Sequence, residues 1–217
     1  MRKVFISNML LAPLDKEKQT YYMSEDIELH DRQYVFPLSY LVADVVRPED
    51  AVVFITAVEQ HDGNERNHAA ENYVVFQQEI RSILKTHTGT ITFKEIPIAT
   101  TFQSTTFNRF FKQITDEIQD DDVLYSDVTF GLKPFSISMF VALAYGAKAA
   151  NNVEVESVIY SKKYDGTVPK TVQGGYIPAT IYDITSLYYL NSLAGNAKAG
   201  QKAGLDSVLG FIMDDTE

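Results

Sequence analysis

Cysteine is absent from this chain of 217 residues, which excludes disulfide staples and thiolate metal sites and leaves one sizeable buried core to hold the fold. Basic residues are the scarcer charge, 19 Lys and Arg against 29 Asp and Glu, for a net charge of −10. That balance repels polyanions at long range, so direct DNA binding is not expected, while a small phosphorylated ligand in a local positive pocket stays compatible with it. No apolar run reaches membrane-spanning length, and the apolar part of residues 1–7 is too short for a signal peptide. The expectation is a cytoplasmic protein with no membrane partner. Nucleotide fingerprints are missing too: Ser7-Asn8-Met9-Leu10 stands where a dinucleotide-binding chain carries Gly-x-Gly-x-x-Gly, and no Walker A sequence occurs. His61 and His68 flank a polar segment that suits a solvated loop, and Asp120-Asp121-Asp122 suits a turn before a strand, so no metal and no cofactor are expected.

What the chain does have is alternation. Short apolar, β-branched runs at residues 4–7, 51–56, 90–96, 123–128, 153–160 and 179–183 are separated by helical patterns at 34–46, 67–86, 106–118, 134–150 and from 186 onward. Repeated βα units with continuous apolar strands predict an α/β fold, a Rossmann-like doubly wound, mainly parallel sheet with helices on both faces. Residues 15–32 break the alternation as a charged, Tyr-bearing loop, either a lid or a partly mobile insertion. Residues 162–178 carry Asp165-Gly166 and Gly174-Gly175, the turn signals of a hairpin or an excursion from the sheet. One domain over residues 1–193 is expected, with 194–217 a linker and a short C-terminal helix that leads, in one reading, to an effector domain.

In an open parallel sheet, ligands gather at the carboxyl ends of the strands. Ser7, Asn8 and Met9 follow the first strand, and Thr56 ends the second. The hydroxyl- and amide-rich run containing Gln103, Ser104, Thr105 and Thr106 follows the third. After the fourth comes Asp127-x-Thr129-x-Gly131-x-Lys133, immediately before the most apolar helix. Helix first-turn N–H groups have no internal partners and carry partial positive charge, so an anion fits there. Thr129 offers a hydroxyl, Gly131 permits close backbone approach, and Lys133 supplies a mobile cation. Uncharged donors with one cation suit phosphates and purine or ribose edges better than a metal or a hydride transfer.

These residues carry a resemblance. The first strand ending in Ser7-Asn8, the run Tyr125-Ser126-Asp127-Val128-Thr129-Phe130-Gly131-Leu132-Lys133 and the later Ile181-Tyr182-Asp183-Ile184-Thr185 resemble the CRISPR-associated Rossmann-fold (CARF) domain over roughly residues 1–193. Phe130 and Lys133 stand where a commoner form has His and Arg. The resemblance implies a homodimer whose shared pocket binds a cyclic oligoadenylate, cyclic tetra-adenylate favoured, as a sensor in type III CRISPR antiviral defence. Ser7, Asn8, Thr129 and Lys133 map onto the ligand-binding motifs; Gln103, Ser104 and Thr105 are added from junction geometry. Two alternatives stay open. One is a metal-independent ring nuclease in which a ribose 2′-hydroxyl attacks the adjacent phosphate and Lys133 stabilises the charge. The other is a nucleotide-dependent metabolic enzyme, disfavoured by the missing glycine fingerprint.

Overall fold

The computed structural model describes residues 1–14, 20–29, 32–60, 67–99, 103–163 and 177–196. Seven strands form one sheet: β1 (Arg2–Asn8), β2 (Thr20–Met23), β3 (Ala51–Glu59), β4 (Ile91–Ile98), β5 (Asp122–Asp127), β6 (Glu154–Lys163) and β7 (Ile177–Asp183), in the spatial order β2-β7-β6-β5-β1-β3-β4. β4, β3, β1, β5 and β6 are mutually parallel, β7 runs antiparallel to β6, and β2 joins β7 in parallel at the far edge. The helices are α1 (Leu38–Val45), α2 (Ala69–Ile83), α3 (Ser104–Thr115), α4 (Lys133–Ala149) and α5 (Thr185–Asn196). The expected Rossmann-like α/β architecture is therefore present, with β5 in the middle and β1 beside it. After β1 the chain visits β2 at the far edge, then winds outward from β1 through β3 and β4 and returns to the other side of β1 through β5, so the strand order reverses between β1 and β5.

β1 is buried from Lys3 through Asn8 because both of its faces are covered, which is why it reads as a continuous apolar run rather than an alternating one. On one face Phe5 stacks on Phe54 and Tyr125, with ring centroids 5.2 and 4.8 Å apart, beneath α1 and α2. On the other, Val4, Ile6, Ile55 and Leu124 pack with Phe110, Phe135, Met139 and Leu143 of α3 and α4, and with Tyr188 of α5. An extra residue, Glu156, interrupts the pairing of β6 with β5, so that Val155 faces the second cluster while Ser157 and Ile159 face the first.

Several expected boundaries move, for local reasons. The apolar pattern at 34–46 is helical only from Leu38, because Pro37 stands at the N-cap and the preceding backbone N–H groups turn to Glu79 of α2. Val35 and Phe36 donate to that carboxylate at 2.6 and 3.3 Å, and the Ser39 hydroxyl donates at 2.5 Å. The charged stretch at 15–32, expected as a loop, contains the strand β2. The expected hairpin after residue 162 corresponds to the antiparallel pair β6 and β7, with the turn signals outside the described residues. α5 continues through Asn196, into the segment expected to be linker, and the rest of that segment lies outside the described residues.

Candidate functional site

The strand reversal opens a crevice at the carboxyl ends of β1 and β5, and the polar residues there fall into two sets by strand parity. Ser7 sits in register with Thr56 on one side and Asp127 on the other, and all three face the α1/α2 layer alongside Phe5, Phe54 and Tyr125. Asn8 points to the opposite face, as Val4 and Ile6 do. Ser7 is 4 % exposed, Asn8 3 % and Thr56 fully buried, yet Ser7 Oγ, Asn8 Oδ1 and Thr56 Oγ1 have no hydrogen-bond partner among the described residues. A buried polar atom without a partner costs about 1–3 kcal/mol, so three of them at the ends of two adjacent strands are a reservoir that a ligand group or water can release. Met9 does not join them: it is buried in the apolar cluster, and its N–H donates to the Ala57 carbonyl at 2.9 Å.

Asp127 turns inward at the root of the motif loop. Its carboxylate accepts the Thr129 N–H at 2.8 Å, the Thr129 hydroxyl and the N–H of Leu38 at the start of α1. Complete burial pushes the carboxyl up to about 6, and those hydrogen bonds pull the other way. Thr129 Oγ1 also accepts the Ser161 N–H at 2.8 Å, tying the loop to β6. The Thr129 hydroxyl is thus engaged in holding the loop. Phe130 tucks its ring against Phe36, 6.4 Å between centroids, so the residue standing where the commoner form has His packs beside the core. Gly131 has φ of +82°, and a Cβ there would lie 2.8 Å from Asn8 Cβ. Close approach to Asn8, whose Nδ2 donates to the Phe130 carbonyl at 3.2 Å, demands glycine at this point.

Lys133 opens α4, exposed and without an ion pair to any described residue, at a terminus with no side-chain cap and Pro134 behind it. The α3 terminus lies alongside, because Phe107 of its first turn packs on Phe135 at 5.2 Å. Gln103 is the N-cap of α3, with its N–H donating to Thr106 Oγ1 at 3.3 Å; Ser104 begins the helix, and Thr105 is exposed on its first turn. The structure therefore brings Asn8, Gly131 and Lys133 together on the α3/α4 side near Gln103 and Thr105. Ser7, Thr56 and Asp127 face the α1/α2 side, where Phe130 packs against Phe36.

On the α1/α2 side, beyond Phe130, is a cavity of about 270 Å³ that the sequence did not disclose. Its wall includes Thr20 and Tyr22 of β2, Gln33 and Tyr34 ahead of α1, Thr129 and Phe130, and Ser161 and Lys163 of β6. Tyr22 donates its hydroxyl to the Val35 carbonyl at 3.2 Å, and burial raises its phenol well above the ordinary tyrosine range.

Charged and titratable side chains elsewhere take structural roles. Arg81 lies over the Phe93 ring at 4.9 Å, His87 Nε2 contacts the Asp50 carbonyl at 2.9 Å, and Asp122 is buried against Arg2 at 2.5 Å. Asp120 and Asp121 accept from the side chains of Asn151 and Asn152. His61 lies outside the described residues, and among the described residues no cluster of His, Asp and Glu could hold a metal. Nor is any described helix long and apolar enough to cross a membrane. No protein-family model matches the chain, and no curated protein matches it.

Proposed function

We propose that this protein is a CARF-like sensor that binds a cyclic oligoadenylate, cyclic tetra-adenylate first, at the carboxyl edge of its sheet across a two-fold homodimer. The observation that carries the reading is the coincidence of features at the strand reversal. Ser7, Asn8 and Thr56 atoms without a partner among the described residues lie toward the carboxyl ends of β1 and β3, and on the Asn8 side of the sheet Gly131 leads to Lys133 at the head of an uncapped helix. Phosphates suit the helix terminus and Lys133, and ribose or base edges suit the buried polar atoms. Ser7 and Thr56 are buried on the α1/α2 side, so the residues open to a ligand are Gly131 and Lys133. A second copy is supported by α4 itself: Ile137, Val141 and Tyr145, at intervals of four, are 64, 48 and 53 % exposed on the helix that Lys133 begins.

Cyclic tetra-adenylate is then expected to raise the melting temperature of the wild type, and Lys133→Ala to abolish most of that rise while the free protein stays folded. Calorimetry that detects neither four- nor six-membered rings refutes the reading. The same samples, held for hours in EDTA with labelled ring and chromatographed, separate sensor from ring nuclease. An intact ring is expected, because Asp127, the titratable group at the root of the loop, is sealed by the Leu38 and Thr129 donors. Linear products ending in 2′,3′-cyclic phosphate, lost in Lys133→Ala, would make the protein a metal-independent ring nuclease.

A further inference from the structure

We propose that the cavity of about 270 Å³ beyond Phe130 is a second, self-contained site in each protomer, taking a purine mononucleotide with its base among Tyr22, Tyr34 and Phe130 and its phosphate at Lys163.

Charge decides the sign of the ligand. Among the described residues lining the cavity Lys163 is the single charged one; it is exposed, and it has no ion pair with any described residue. In a chain of net charge −10, one cation among otherwise uncharged described lining residues favours an anion with a neutral body. The wall decides what that body is. Three aromatic rings with aliphatic neighbours favour a flat, apolar-faced group, and the volume, just under the usual range of small-molecule pockets, limits the occupant to a small one. Hydrogen-bonding groups interrupt this surface, which a plain hydrocarbon would leave unpaired. Gln33 Oε1 accepts the Tyr22 N–H and the Tyr40 hydroxyl, each at 3.1 Å. The amide is thereby fixed, with its NH₂ left as a donor. Tyr34 keeps a buried hydroxyl with no partner among the described residues. A heteroaromatic base offers ring nitrogens and an exocyclic amine to such groups, and a single phosphate answers the single lysine.

The cavity is separate from the strand-reversal crevice because the motif loop divides them. Thr129 and Phe130 form part of the cavity wall, while Gly131 and Lys133 continue to the other side of the sheet. The lysine is placed by sheet register: Ile159, Ser161 and Lys163 share one face of β6, and Lys163 pairs with Ala179 of β7, itself in the wall. Lys162, one residue away, faces the opposite side.

Titration calorimetry on the full chain with AMP, adenosine and inorganic phosphate tests the assignment. AMP is expected to bind at least tenfold more tightly than adenosine or phosphate. Lys163→Ala should bring AMP down to the adenosine level, Lys163→Arg should restore it, and Lys162→Ala should leave it unchanged. Saturating cyclic tetra-adenylate should not displace AMP. Failure of AMP to bind at millimolar concentration, an equal loss in Lys162→Ala, or displacement of AMP by the ring overturns the second site. AMP binding by a protein that ignores cyclic tetra-adenylate upholds this inference and removes the proposed function, so the two fail separately.

Discussion

Asp127 gives the motif a measurable signature in the stability of the free protein. Its carboxyl moves from an ordinary value of 3.8 to about 6 on folding, with burial as the largest cause. The native state therefore holds the proton more tightly than the unfolded chain. Between about pH 4 and pH 6 the native state carries more protons, and stability falls as pH rises through that window. A shift of about two units at about 1.4 kcal/mol each amounts to about 3 kcal/mol, fully present as stability below pH 4 and gone above pH 6. In Asp127→Asn the amide does not titrate, although its NH₂ group faces the Leu38 and Thr129 donors and lowers stability by an amount independent of pH. Urea unfolding of wild type and Asp127→Asn at pH 4, 5, 6 and 7 isolates the group. Glu79, also raised by burial, acts in the same direction in both proteins and cancels in the difference, as does Asp50, which its Lys3 partner lowers against an opposing burial cost. The wild-type advantage should shrink by about 3 kcal/mol from pH 4 to pH 7. A difference that stays constant, or grows, would mean that the α1 terminus and the Thr129 donors outweigh burial, and it would refute the reasoning.

Gly131→Ala should destabilise the protein by roughly 2 kcal/mol or more in urea unfolding, since a left-handed backbone costs an L-residue about 1–2 kcal/mol and the new Cβ meets Asn8; an unchanged midpoint would show that the loop relaxes freely. Arg2→Met should cost about 3 kcal/mol at neutral pH, because it strands the fully buried Asp122 carboxylate without its guanidinium partner. Arg2→Lys, which keeps a cation at that position, should recover part of the deficit, and a deficit equal in both variants would assign it to packing.

The fold was legible wherever strands are buried on both faces, because such strands read as unbroken apolar runs whatever surrounds them. β1, β3 and β5 are of this kind. β2 is not: Thr20-Tyr21-Tyr22-Met23 is short and amphipathic, lies among charged residues, and is a strand only because β7, more than 150 residues later, offers it an edge. Local pattern carries no trace of such a partner. α1 was misread at its start for a related reason. The apolar spacing of residues 34–36 continues that of the helix, but Glu79, reaching over from α2, takes the N–H groups that would have to run on into it. In the candidate site, Asp127, Thr129, Gly131 and Lys133 were visible because one short segment carries them all. The cavity was invisible because its wall is assembled from pieces of β2, the approach to α1, the motif loop, β6 and β7, which span residues 20 to 179 and meet only in the folded sheet.

The motif divides its labour in a way that spacing alone does not show. Asp127 and the Thr129 hydroxyl, the residues that look most like ligand groups in the sequence, are bonded inward to α1 and β6. Their effect is to fix where the chain leaves the sheet. The loop then has one course open to it, past Asn8, and only glycine passes that close. Lys133 follows two residues later at the head of α4, on the opposite side of the sheet from Lys163. The same Thr129 and Phe130 that anchor this loop also form part of the cavity wall, so one short segment carries Gly131 and Lys133 to one face of the sheet and closes a cavity on the other.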